Sequence, residues 1–142
     1  MLRDHRAYSM TFWAVFIGFV LVPIMALSVE LSRYFTAKAE MGKAADAAAL
    51  AAAIEINESA FKESGALLPT GETWAWAQNA TSLNTIYLSQ HGVHAYVTGI
   101  NVDDPANTVR VQVSANPDRL FPSLVPDIVV TEAGLAEVRA MR

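Results

Sequence analysis

The chain is expected to fold as an α+β protein: a long N-terminal transmembrane helix extending into a small domain with a second helix and a three-stranded antiparallel sheet. Three features predict this. Residues 7 to 29 form a run of 23 without a formal charge. An alanine-dense segment, AKAEMGKAADAAALAAAIEI, follows from Ala37 to Ile56. From His94 onward the apolar residues change from helical spacing to alternation, the period of a half-buried strand.

The uncharged run is long enough to cross a bilayer. At a helical rise of about 1.5 Å per residue it spans roughly 35 Å, against a hydrocarbon core of about 30 Å. Eleven of its residues are Leu, Ile, Val or Phe. At mid-membrane these contribute on the order of −5 kcal/mol to insertion, before Pro23, Gly18 and the hydroxyls subtract some. Tyr8 and Trp13 lie near one end and Tyr34 near the other, positions suited to aromatic rings in the headgroup layer. A signal peptide is the rival reading, because Arg3 and Arg6 make a basic start and Ala26-Leu27-Ser28 resembles a cleavage site. The apolar stretch exceeds the usual signal core, so an uncleaved anchor is expected.

Orientation follows from the short basic N-terminus, which commonly stays cytoplasmic, although Arg33, Lys38 and Lys43 lie close on the other side. The expected organisation is a cytoplasmic N-terminus at 1–6, a transmembrane helix at 7–31, an alanine-rich helical extension at 32–58 and a small extracytoplasmic α+β domain at 59–142.

The first helix is expected from about Tyr8 to Glu58, with a kink expected at Pro23. From Glu30 onward its charges fall three apart: Glu30 with Arg33, Glu40 with Lys43, Lys43 with Asp46. Alanine has the highest helix propensity, which alone accounts for a stable helix. Small side chains at Ala45, Ala48, Ala49 and Ala52 also permit close approach of another backbone, either this protein's own sheet or a neighbouring subunit's helix.

Gly65, Pro69 and Gly71 then punctuate a polar stretch. Thr70 or Thr73 is a candidate cap for a second helix reaching about Ser89, with Trp76, Ala80, Leu83, Tyr87 and Leu88 as its apolar spacing and Gly92 as its stop. HAYVTGINV and TVRVQVSA alternate on either side of DDPAN, which predicts an antiparallel hairpin. NPDRLFPSLVPD, with three prolines, reads as a surface loop, and IVVTEAGLAEVRA as a third strand, its AGLAEVRAM portion alternatively a short helix.

Residues 55 to 142 hold ten Asp or Glu against five Lys or Arg, a net of −5 that offers no footprint for a phosphate backbone. Nucleic acid is therefore excluded as an expected partner; membrane lipid and other transmembrane helices take its place. The absence of cysteine selects no compartment. His91 and His94, with Asp103 and Asp104 downstream, straddle a helix end and a turn, so no metal is expected from them. No nucleophile elbow or glycine-rich phosphate loop occurs, and neither enzyme activity nor a cofactor is expected. Trp74 and Trp76 read as helix packing before a ligand stack, with Trp74 a candidate partner surface if exposed.

The series ALSVELSRYFTAKAEMGKAADAAALAAA, Ala26 to Ala53, resembles the N-terminal signature of the TadG-like proteins of tight-adherence (Flp) pilus assembly. Glu30, Arg33 and Tyr34 stand where that pattern has its acid, arginine and aromatic, ahead of the AADAAALAAA run. The likeness is strong over roughly the first 55 residues and extends beyond them only in general layout. It implies a pilin-like protein of the bacterial inner membrane with a periplasmic domain, and pilus-assembly proteins among its partners. Glycine followed five residues later by glutamate marks processed type IV pilins, whereas Gly18 here is followed by Phe, Val, Leu, Val and Pro. That departure implies a minor or accessory subunit. Within this picture Gly18, Pro23, Glu30, Arg33, Tyr34, Ala45, Ala48, Ala49 and Ala52 are the candidate helix-packing residues. Glu30, at the membrane edge, is expected to pair locally with Arg33 before any subunit contact. A single-pass accessory or scaffolding subunit of another membrane complex, respiratory, photosynthetic or transport, uses the same anchor and is the alternative.

Overall fold

A computed structural model describes residues 5–56, 63–64, 66–122 and 125–138, with side chains from residue 9 onward. Its helical run begins with α1, His5–Phe16, passes through a π-helical turn at Ile17–Leu21 and continues as α2, Val22–Ile54. Proline explains the irregular turn. Pro23 has no N–H, and its ring would clash with the carbonyl four residues back in a regular helix. Instead the Val22 N–H reaches back five residues to the Ile17 carbonyl, widening the turn that holds Gly18. The irregularity thus falls on the turn before Pro23. At the other end α2 stops at Ile54, with the Glu55 N–H still bonded to the Ala51 carbonyl at 3.3 Å. The expected limit at Glu58 lies outside the described residues.

Two compact units divide the chain. One gathers Met1–Tyr34 with Arg119–Asp127, the other Phe35–Asp118 with Ile128–Arg142.

In the second unit, α3 spans Gly71–Asn84 and a short α4 spans Ile86–Gln90. Thr70 and Thr73 both serve the start of α3: the Thr73 N–H donates to Thr70 Oγ1 at 3.3 Å, and the Thr70 N–H donates to Thr73 Oγ1 at 2.9 Å. This reciprocal box satisfies two donors that a helix start leaves unpaired. Gly92 ends α4 as expected, at φ 78°, where glycine meets no steric penalty. The Val93 N–H then bonds Leu88 O at 2.9 Å and the Gly92 N–H bonds Ser89 O at 3.1 Å, the paired closure of a Schellman end.

The face that α3 buries differs from expectation. Trp76, Leu83 and Tyr87 are 51%, 60% and 54% exposed, whereas Thr73, Ala77, Thr81 and Thr85 are buried, together with Leu88. Threonine becomes nearly apolar here because its hydroxyl is satisfied locally. Thr81 Oγ1 donates to the Ala77 carbonyl and Thr85 Oγ1 to the Thr81 carbonyl, both at 2.9 Å, leaving the methyl groups to pack.

Strands β1, Ala95–Asp103, β2, Thr108–Ala115, and β3, Val130–Glu137, form an antiparallel sheet in the order β1-β2-β3. The segment open to either reading is strand as far as Glu137, and residues 139–141 lie outside the described residues. The hairpin turn places Asn107 at φ 53°, a conformation asparagine tolerates, and its N–H bonds the Asp104 carbonyl at 3.2 Å. Thr98 is the extra residue of a bulge between Val97 and Gly99. Alternation then sorts the faces: Val109, Val111, Val113, Ala115 and Val130 are buried. Hydroxyls of Thr98, Ser114 and Thr131 form a row across the three strands at 3.4 and 2.9 Å.

Candidate membrane-anchoring and helix-packing site

Among the described residues one helical run, Ser9–Ile54, is long and apolar enough to cross a membrane. Its first part displays large apolar side chains outward: Phe12, Trp13, Phe19, Ile24, Met25, Leu27, Val29 and Leu31 are all exposed. Phe12, Trp13 and Phe16 stack edge and face with ring centroids 5.8 to 6.5 Å apart, an aromatic cluster near the start of the span. Gly18 opens onto free space, since a β-carbon there would have no neighbour within 4 Å. Pro23 is half-buried.

Glu30 closes the apolar stretch, and it is buried. Arg33 Nη1 stands 4.0 Å from Glu30 Oε2, three residues further along the helix. A second partner comes from far away in sequence: the Leu120 N–H donates to the same oxygen at 3.3 Å. The carboxylate thereby holds a loop that sequence reading places only as surface. Arg33 and Tyr34 are half-buried.

In the second unit the alanines are consumed by the protein's own fold. Ala44, Ala45, Ala48, Ala49 and Ala52 are all 0% exposed. The close approach is recorded at Gly134 of β3, where an added β-carbon would collide with the Ala45 carbonyl and the Asp46 amide nitrogen. Helix backbone and strand backbone meet there with no side chain between them. Lys38 Nζ lies 3.7 Å from Glu132 Oε1, pairing α2 with the same strand, while Lys43 Nζ pairs within the helix with Glu40 at 2.9 Å. Such exposed pairs contribute about 1 kcal/mol at most.

Gln78 is a second residue whose role only the fold discloses. Its Oε1 accepts from the Val97 N–H at 2.8 Å, and its Nε2 donates to the Ala95 carbonyl at 3.3 Å. The amide thus takes the place of a neighbouring strand and covers part of the β1 edge. Of the polar groups weighed as metal ligands, two bond within their own turn: His91 Nδ1 is 2.8 Å from the Tyr87 carbonyl and Asp103 Oδ1 accepts from the Ala106 N–H at 3.3 Å, whereas Asp104 Oδ1 accepts from the distant Leu67 N–H at 2.8 Å.

These features define a class, a small α+β protein anchored by one apolar helix that continues into an alanine-faced segment. Residues 9–55 match the family model Tad, described as "Putative Flp pilus-assembly TadE/G-like". That stretch, which holds the anchor, Glu30, Arg33 and the buried alanines, is similar to the TadE/G-like family. No curated protein and no solved structure matches the chain.

Proposed function

We propose that this protein is a structural component of Flp pilus assembly, held in the bacterial inner membrane by a permanent anchor and acting as a minor or accessory subunit through helix packing. The observation that carries this reading is the coincidence of the family match with the anchor and its alanine-rich continuation. Function in such a protein is mechanical. The anchor fixes the chain in lipid, and the open surface at Gly18 offers a place where another transmembrane helix can come close. The widened turn ahead of Pro23 leaves the helix locally irregular at the same level. Glu30, Arg33 and Tyr34 mark the exit of the span, with the N-terminus on the cytoplasmic side and the sheet domain in the periplasm.

Detergent extraction of the native protein, followed by identification of stoichiometric companions, tests this reading. Pilus-secretion components are the expected companions. A stoichiometric respiratory, photosynthetic or transport complex, with pilus components missing, would contradict it.

A further inference from the structure

The loop that reaches Glu30 has a composition unlike the rest of the C-terminal region. From Leu120 to Pro126 the sequence is LFPSLVP, without a charge, bounded by Arg119 and Asp127. It belongs to the same compact unit as the anchor. Leu120 is 54% exposed and Phe121 37%, so these two side chains are not used to fill a core, while Val125 is half-buried beside them.

We infer that Leu120, Phe121 and Val125 form a second, shallow membrane contact, a hook that sits at the boundary between headgroups and acyl chains beside the anchor helix. The proposal rests on the anchor spanning lipid. Depth is set by Glu30, the first charge after the uncharged run of 7–29, whose carboxylate accepts the Leu120 N–H. The exposed leucine therefore lies where the span meets the headgroup layer. This continuity with the anchor's own lipid surface is what favours lipid as the occupant.

An irregular backbone at that depth needs its polar groups satisfied without bulk water. Among its described residues the loop supplies part of this itself. Arg119 Nη1 donates to the Val125 carbonyl at 2.8 Å and to the Pro122 carbonyl at 3.4 Å, and its Nη2 pairs with Asp127 Oδ1 at 2.6 Å. The Val125 N–H bonds the Phe121 carbonyl at 3.3 Å. Pro122 and Pro126 carry no N–H that would need a partner. Apolar side chains with a charged base at the loop's neck match the partition of interfacial elements, in which the hydrocarbon part enters and the charge stays at the surface.

The chain has no cysteine, so single labels are unambiguous. Leu120→Cys, and separately Val125→Cys, would each be labelled with an environment-sensitive NBD fluorophore. The full chain would then be reconstituted into phosphatidylcholine/phosphatidylglycerol vesicles containing nitroxide lipids that quench either near the headgroup or near the bilayer centre. Phe19→Cys in the anchor and Gln90→Cys on α4 serve as references. The expected result is loss of most emission at positions 120 and 125 with the shallow quencher and little with the deep one, strong deep quenching at 19, and none at 90. Positions 120 and 125 matching position 90 would overturn the hook. So would shielding from aqueous iodide without lipid quenching, which means a protein surface covers the loop. An unquenched position 19 would refute the spanning anchor and the hook with it, whereas quenching at 19 alone refutes only the hook.

Discussion

The two parts of α2 bury opposite things. Before Tyr34 its large side chains, Ile24, Met25, Leu27, Val29 and Leu31, are exposed, while beyond Phe35 the residues without solvent contact are mostly alanines. In water the first pattern is unfavourable, since each large apolar side chain left exposed forgoes about 1.5–3 kcal/mol of burial. In lipid it costs nothing, and the small residues are then free to do what large ones cannot. They let the helix backbone lie against Gly134, a contact that any side chain on that strand position would prevent. One helix thus reads its solvent twice: large residues where the neighbour is fluid hydrocarbon, small ones where the neighbour is a backbone.

This contrast can be broken from the protein side most sharply at Gly134. Gly134→Val sets a branched side chain against the α2 backbone, and we expect a loss of at least about 3 kcal/mol, beyond the usual range for overpacking. Thermal melting in detergent, followed by near-ultraviolet circular dichroism, measures it; an unchanged midpoint would mean that helix and strand do not meet as described. Ala48→Leu is a milder intrusion on the same face and should cost about 1–3 kcal/mol. Thr70→Ala removes the α3 capping hydroxyl, with an expected loss of about 1 kcal/mol from the second unit while membrane extraction of the anchor stays unchanged. Leu50→Ala lies between buried alanines yet is itself exposed, so it should move stability by no more than about 0.5 kcal/mol. A large effect there would place the buried face of the helix elsewhere.

Much of the architecture was legible because it rests on local signals. The uncharged run, the Thr70–Thr73 cap, Gly92 as a stop, the DDPAN turn and the period-two strands each state their structure within a few residues, and the TadE/G-like segment is carried by contiguous residues. The buried face of α3 was not legible, because side-chain type alone does not tell how apolar a residue is once its hydroxyl is bonded. Thr81 and Thr85 bury as methyl groups once their hydroxyls bond back to the helix, while Trp76, Leu83 and Tyr87 remain outside. The long-range partners escaped for a different reason. Gln78 at the β1 edge, Leu120 at Glu30 and Gly134 at Ala45 join positions 17 to 90 residues apart, and nothing in the spacing of either partner names the other. Glycine at 134 leaves a faint trace, a gap in an otherwise alternating strand, which signals a close backbone approach without saying whose.

Whether the alanine face is spent within one chain or shared between chains is tested most directly by oxidative cross-linking of an Ala48→Cys variant in native membranes, with Leu50→Cys as the exposed reference. The account predicts that the thiol introduced at position 48 forms no disulfide-linked dimer and resists alkylation until the protein is denatured, while the thiol at position 50 is alkylated in the native state. Efficient dimers linked through position 48 of two chains, or rapid alkylation at that position before unfolding, would contradict it and return that face to a neighbouring subunit.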